Sequence, residues 1–505
     1  MRAQRSIANY LSAVAYGGAT IGLALVTMPL RLAWLGEEVM GLLRILLDAF
    51  GYLVLLEFGI AAALSSLFAT ALARDDTPRI LVLFRLGVRE LLKATVLKVA
   101  AGVALTVGLM RFLDVSPDLT QDFLVACGVG LLSLVLTPIG AFRSLLEGAQ
   151  RGYSIQLALT VQATLTSLLS LWFAYVRWGV TGQVVAVSLG VLASQSVLIL
   201  VSRRRFPNIL ATGPLAADPT AQASLRRLNR PAFMSQMAGT IGLLSDNLLV
   251  GLFLSPQVVM RFFLTQRLAS IAQAQLQGIG TASWAGMAEI HARGDLELFN
   301  KRALEMTRLV AIASAALLIP LAVFNRAFIG LWVGSDLYGG GLVSTSAVLV
   351  AAGQSIVSLW GWLFHASGQL SKVAPVVAAT AAVNVVASVV CTLMFGLAGP
   401  LLGTLASYAL VSTWCFPSLL RATFGISIGR LASAVVWPAV VGLPVSAGAM
   451  WLESQPLSET WLGVAFGAGA TGMAYLLVSW FWLLGPGERM EWRGRIRGAR
   501  ARLGR

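Results

Sequence analysis

Long stretches without a single charged residue dominate this chain, and they leave it few folds. Tyr10–Leu30, Phe123–Phe142, Ser154–Val176, Leu268–Ala288, Leu431–Leu452 and Thr460–Gly487 carry no Asp, Glu, Lys or Arg. Each reaches the roughly 20 residues that a helix needs to cross hydrocarbon. The alternation of a β-barrel strand is absent, so helices must satisfy the backbone in lipid. Over 505 residues, 57% are hydrophobic and only 12% charged, whereas a soluble chain carries about twice that charge fraction. The pattern predicts an all-α polytopic membrane protein with about fourteen transmembrane helices. The spans fall roughly at 10–30, 39–72, 94–112, 123–146, 154–176, 179–201, 231–254, 258–288, 304–324, 342–364, 373–395, 398–418, 431–452 and 461–484. The second is longer than one crossing and predicts an extension or a bend. Tyr10–Leu30 is too long for a cleavable leader, and no small-residue cleavage site follows it.

The chain also repeats itself. Thr20-Ile21-Gly22-Leu23 returns as Thr240-Ile241-Gly242-Leu243 and Val39-Met40 as Val259-Met260, both 220 residues on. Gly59-Ile60 answers Gly278-Ile279, and Ala73-Arg74-Asp75 answers Ala292-Arg293 with Asp295 just after. Gly152 matches Gly368, and the Gly179/Gly182 pair matches Gly396/Gly399. This predicts two pseudo-symmetric six-helix lobes, residues 1–201 and 231–420, with a cleft between them as in alternating access. A cytoplasmic linker, 202–230, contains Pro207, Gly213, Pro214 and Pro219. Residues 421–505 add two further helices, the first with Pro438 and Pro444, and a basic cytoplasmic tail.

Charge sorts the loops. Arg2 and Arg5, Arg74 to Lys93, Arg151, Arg203-Arg204-Arg205 with Arg226 to Arg230, Arg293 to Arg302, Lys372, Arg421 with Arg430, and the tail from Arg489 form one set. Glu37 with Glu38, Asp114 with Asp118 and Asp122, Asp336, and Glu453 with Glu459 form the other. The alternation places both termini in the cytoplasm and accounts for the net charge of +15 without nucleic acid. Residues 79–93 and 295–308 read as amphipathic helices on the cytoplasmic face.

Polar groups at membrane depth mark a cavity or a helix–helix bond. The second span carries Arg44, Asp48 and Glu57; Arg44 and Asp48 are four apart and share a face, as a structural ion pair or a substrate contact. The seventh carries Asp246 and Asn247, with Arg267 or Arg44 as partners for the acid. The eighth carries Arg261, Arg267, Gln266, Gln273, Gln275 and Gln277. The spacing puts Gln266, Gln273 and Gln277 on one stripe, suited to hydroxyl-rich ligands or to bonds between helices. Arg31, Arg143 and Arg261 read as snorkelling anchors, and Pro138 and Pro320 as kinks. Cys127, Cys391 and Cys415 lie in apolar segments, and His291 and His365 are far apart, so neither a disulfide framework, a metal site nor a bound cofactor is expected. No P-loop, G-x-S-x-G or H-E-x-x-H occurs, and the outer loops are short, so the chain is not expected to be an enzyme.

Several runs carry a resemblance: Pro29-Leu30 through Leu35-Gly36-Glu37-Glu38-Val39-Met40-Gly41, Leu56-Glu57-Phe58-Gly59-Ile60, Leu146-Glu147-Gly148-Ala149-Gln150-Arg151-Gly152-Tyr153, Asp246 to Gly251, Leu331-Trp332-Val333-Gly334, and Asn384 with Phe395-Gly396-Leu397-Ala398-Gly399. Over roughly residues 5–425 the chain is similar to the polysaccharide flippases, the lipid-linked oligosaccharide translocases of the MATE-like superfamily of multidrug, oligosaccharidyl-lipid and polysaccharide exporters. Arg261 departs from the small residue usual in that family, where Gly41 of the first repeat keeps it. The resemblance implies a multi-pass protein of the bacterial inner membrane that moves undecaprenyl-diphosphate-linked oligosaccharide, a polysaccharide repeat unit, to the outer face by alternating access. Membrane lipids, and a polysaccharide polymerase with its export machinery, are the implied partners. Arg44 and Arg267 would suit the diphosphate and the glutamines the glycan, with Asp246, Asp48 or Glu57 available to a coupling ion. Three other readings stay open: a cation-coupled multidrug exporter, which would want an acid in the first span; a lipid II flippase, which also has fourteen helices; and a membrane glycan polymerase or ligase, which would want a large outer loop.

Overall fold

A computed structural model describes the backbone of residues 2–210 and 219–485, with 487, 489, 490 and 494. Side chains are described for these except 2–11, 14, 230–232, 234–245 and 457. The repeat residues Thr240 to Leu243 therefore lie outside the described side chains; Gly213 and Pro214 of the linker and most of the arginine tail lie outside the described residues altogether.

Among the described residues there are helices and no strands. They are α1 (Arg2–Gly51), α2 (Ile60–Ala73), α3 (Thr77–Phe112), α4 (Pro117–Ser133), α5 (Gly140–Gly148), α6 (Gly152–Tyr175), α7 (Gly179–Arg205), α8 (Pro219–Phe253), α9 (Pro256–Ala292), α10 (Leu296–Trp332), α11 (Gly341–Ala366), α12 (Leu370–Phe395), α13 (Gly399–Ser407), α14 (Thr413–Phe424), α15 (Ile428–Glu453) and α16 (Trp461–Trp482). Fourteen membrane-length segments result. Gly36 (φ 82°, ψ 170°) breaks α1 into the first span and the start of the second, a conformation open in practice only to glycine. The second continues through a 3₁₀ stretch, Tyr52–Glu57, bends at Phe58 and Gly59 and resumes as α2. A 3₁₀ turn holding Pro138 joins α4 to α5, and a π turn, Tyr408–Ser412, joins α13 to α14. Pro320 lies inside α10.

Residues 79–93 and 295–308 are not separate surface helices: they are the first turns of α3 and α10. Each helix continues unbroken from its polar start because a carboxylate fixes its N-terminus. Asp76 accepts from the Arg79 backbone N–H at 3.0 Å and Asp295 from that of Leu298 at 2.9 Å, satisfying donors that a helix start leaves orphaned. The turns before them pass through left-handed residues, Asp75 (φ 52°) and Gly294 (φ 77°). Both pairs of positions are 219 apart, so the repeat legible in the sequence is one of turns and caps more than of side chains.

The chain forms two compact units, Met1–Met260 and Arg261–Arg505. Thus α8, the first helix of the second repeat, packs within the first unit against α1 and α2. The first unit's main core joins Leu64 and Phe68 of α2, Leu83 and Phe84 of α3, and Leu145 and Leu146 of α5. Gly148 lets α5 lie on α2: a methyl there would stand 2.8 Å from the Ser65 carbonyl oxygen. Arg143, read as an anchor, instead pairs with Glu147 at 3.0 Å, which also accepts from Ser65 Oγ at 2.8 Å. On the other side, Glu38 caps α4 through the backbone N–H (3.0 Å) and hydroxyl (2.8 Å) of Ser116. Asp122 caps α7 through the N–H groups of Val180 and Thr181, at 2.6 and 3.1 Å. Arg111 and Arg177 lie on this same acidic side, which the loop reading left out.

The second unit's largest core is aromatic, with Phe299, Trp360, Phe364, Phe416 and Phe424. Its helices adhere through small and hydroxyl side chains. Asn384 of α12 donates to Thr404 of α13 at 2.7 Å, and Ser388 to the Pro400 carbonyl at 3.1 Å. Gly403 is backed directly against Ser388. Lipid offers no hydrophobic drive between helices, so close approach and buried hydrogen bonds provide the adhesion.

Candidate functional site

In the first unit, α1 runs antiparallel to α8 over the stretch that carries charge. Gly41 meets the Pro256 carbonyl and Gly251 meets Ile45, each too closely for a β-carbon. That approach brings Asn247 onto Asp48. Arg44 grips Asp48 with two nitrogens, Nη2 at 2.7 Å and Nε at 3.0 Å, and Asn247 Nδ2 donates to the same carboxylate at 2.8 Å. Asp48 is 2% exposed while the Arg44 side chain is 28% exposed. The acid is thus sealed and the Arg44 side chain is partly exposed. Removing one partner of a buried ion pair costs about 3–5 kcal/mol, so Arg44 and Asp48 stand or fall together. Asp246, the neighbouring acid, is half-buried.

Glu57 lies elsewhere. It accepts from Lys98 Nζ of α3 at 2.5 Å, and Lys98 also reaches Thr137 Oγ1 at 3.4 Å. Lys98 is 5% exposed. The sequence reading passed over it, although a lone lysine inside an apolar span was the signal. The two acids of the second span therefore serve two separate pairs; nine positions apart, they fall on different faces of a helix.

In the second unit the polar residues of α9 form a surface. Gln266, Arg267, Gln273 and Gln277 are half-buried, and the Arg267 guanidinium sits over the Phe263 ring at 5.6 Å, a cation–π contact. Thr265 apart, the buried face of α9 is apolar: Phe262, Leu264, Ala269, Ala272, Leu276 and Met287. From 262 to 288, its exposed positions are Ser270, Ala274, Gln275, Gly278, Thr281, Ala282, Trp284, Ala285 and Gly286. A face turned to hydrocarbon would be filled with Leu, Val and Phe. This one is small and polar, the composition of a wall turned to water. A second buried network, Asn325 donating to the Thr265 carbonyl at 2.7 Å and to Ser344 at 2.9 Å, fixes α9 to α10 and α11. None of its members was singled out in sequence.

Among the described residues, no three His, Cys, Asp or Glu side chains converge as a metal site. Among the described residues, ten stretches combine membrane length with strong apolarity; α9 has the length, 37 residues, without the apolarity.

The same arrangement of helices occurs in solved transporters. A lipid II flippase, MurJ, in an inward closed conformation superimposes with a TM-score of 0.70 at 11% identity, covering 94% of this chain and 98% of that one. An inward-facing multidrug resistance MATE family transporter of the MOP superfamily gives 0.60 at 13% identity, over 86% and 96%. A MOP superfamily transporter from Pyrococcus furiosus gives 0.53 at 12%, over 87% and 96%. Among curated proteins, no sequence matches the chain. A family model described as polysaccharide biosynthesis protein matches residues 6–285. With its fourteen helical segments and its MATE- and MurJ-like fold, the chain is a multi-pass membrane protein that belongs to the polysaccharide biosynthesis protein family.

Proposed function

We propose that this protein flips an undecaprenyl-diphosphate-linked oligosaccharide from the cytoplasmic to the outer face of a bacterial inner membrane by alternating access. The observation that carries this reading is the wall of α9, where a membrane-length helix turns Ser, Ala, Gly and Gln outward and holds Arg267 among them. A diphosphate wants a cation and a glycan wants amides; Arg267 and the stripe Gln266, Gln273 and Gln277 supply both. Arg44, held by Asp48 and steadied by Asn247, is the matching cation of the other unit. The halves that alternate are the two repeats, residues 1–201 and 231–420, linked by 202–230, with residues 421–505 as an addition. Both termini are cytoplasmic in this reading. The coupling group, if an ion drives the cycle, is Asp48, Glu57 or Asp246; protonating either of the first two would dissolve a buried pair.

The test is translocation of a fluorescent polyprenyl-diphosphate glycan in proteoliposomes, wild type against Arg267→Ala. Flipping by wild type and its loss in a folded variant support the substrate and the cation together. Flipping by both removes Arg267 from the site. Lipid II flipping is the second reading, favoured by the closeness in fold to MurJ. Lipid II in the same vesicles decides between them by which lipid moves faster.

A further inference from the structure

The stripe of glutamines on α9 ends at an aromatic platform. Trp284 follows Gln277 by seven residues, as Gln273 follows Gln266, so all four share one helical face. The Trp284 ring meets His365 of α11 edge-on, with centroids 5.6 Å apart and planes at 78°. His365 in turn stacks on Trp362, at 5.1 Å and 23°. Gly280 makes the contact possible: a β-carbon there would stand 2.7 Å from Trp362 Cδ1. Trp284 remains 41% exposed.

Two tryptophans elsewhere are exposed among large apolar residues. Trp437 and Trp451 of α15 share a surface with Val436, Val440, Leu443 and Met450, which is the composition of an interfacial anchor. Trp284 stands among Thr281, Ala282, Ala285 and Gly286, all exposed. An anchor has no use for such neighbours. An indole held by a ring cluster beside small residues and in line with amides matches a pyranose: its flat C–H face packs on an aromatic ring while its hydroxyls bond to amides.

From this geometry we infer that Trp284, supported by Trp362 and His365, is a stacking subsite for a sugar ring of the carried glycan, at the end of the Gln266–Gln273–Gln277 track. The inference rests on the flippase reading for the identity of the ligand and on the ring geometry for the site. It assigns the diphosphate and the distal sugars to different places along α9, near Arg267 and near Trp284 respectively.

Two measurements on the full-length protein separate the two readings. The first is fluorine NMR of 5-fluorotryptophan-labelled protein in detergent, with the Trp284 signal assigned by Trp284→Phe. Addition of maltopentaose should shift that signal saturably, and mannitol, which has no ring, should not. No shift overturns the subsite whatever the transport result. The second is flipping of a polyprenyl-diphosphate pentasaccharide against the same lipid bearing one sugar. Trp284→Ala should slow the pentasaccharide about tenfold and the single sugar by about twofold or less, with Trp284→Phe close to wild type. Equal loss on both lipids by a monodisperse variant makes Trp284 a structural anchor and overturns the inference. A saturable shift in a protein that flips neither lipid supports the sugar site and overturns the flippase.

Discussion

Helices α9 and α16 of the same unit are built inside out with respect to each other. α16 buries Gly463, Gly467, Thr471, Tyr475 and Ser479 and exposes Leu462, Phe466, Met473, Leu476, Leu477 and Phe481. α9 buries Phe262, Leu264, Leu276 and Met287 and exposes Ser270, Ala274, Gly278, Thr281 and Ala282. Both sets of exposed residues lie outside the protein core, yet they suit different solvents. A face of Leu, Phe and Met is stable in hydrocarbon, where helices adhere through small residues at i and i+4. A face of Ser, Ala, Gly and Gln, backed by an apolar interior, follows the rule of a protein in water. Exposure alone therefore says little in a membrane protein; composition of the exposed face separates lipid from cavity.

Charge breaks this comparison most sharply. Leu476→Arg on α16 places a guanidinium in hydrocarbon and is expected to destabilise by about 2.5–3.5 kcal/mol. Ala282→Arg on α9 faces water and should cost about 0.5 kcal/mol or less. Thermal unfolding in nanodiscs reads both, and equal losses would make α9 another lipid-facing helix. Steric insertion should show the next effect. A β-carbon at Gly467 would lie 2.6 Å from Phe324 Cζ, whereas none at Gly278 meets an atom within 4 Å. Gly467→Leu should cost about 1–3 kcal/mol by overpacking; Gly278→Leu should leave stability nearly intact and obstruct transport.

Smaller effects sharpen the contrast. Tyr475 donates its hydroxyl to the Pro438 carbonyl at 2.9 Å inside the unit, so Tyr475→Phe should lose about 1 kcal/mol without a specific effect on transport. Gln277→Leu should do the reverse, moving stability by about 0.5 kcal/mol or less while slowing glycan flipping. A Gln277→Leu variant that flips at the wild-type rate would show the stripe to be mere adhesion between helices.

Much of the fold is legible in residues. Gly36, a helix breaker before Glu37-Glu38, closes the first span, and Asp295 caps α10 where the repeat places it. The site is less so. Arg44 and Asp48 are four apart and pair as their spacing predicts. Asn247 joins them only because Gly251 and Gly41 let α1 and α8 approach. Glu57 shares a span with Asp48 but lies on a different face, and its partner is Lys98 of α3. Trp284 and His365 are 81 positions apart, and nothing in periodicity brings distant rings together.

What this sequence determined by itself is the number of crossings, the repeat and the polarity of each helix, because lipid obliges every span to be long, apolar and hydrogen-bonded within itself. Tertiary structure decided which charges neutralise each other and which side of each helix is buried. Those outcomes depend on distances between helices, set by glycines such as Gly41, Gly251 and Gly280, where a β-carbon would collide with the neighbouring helix.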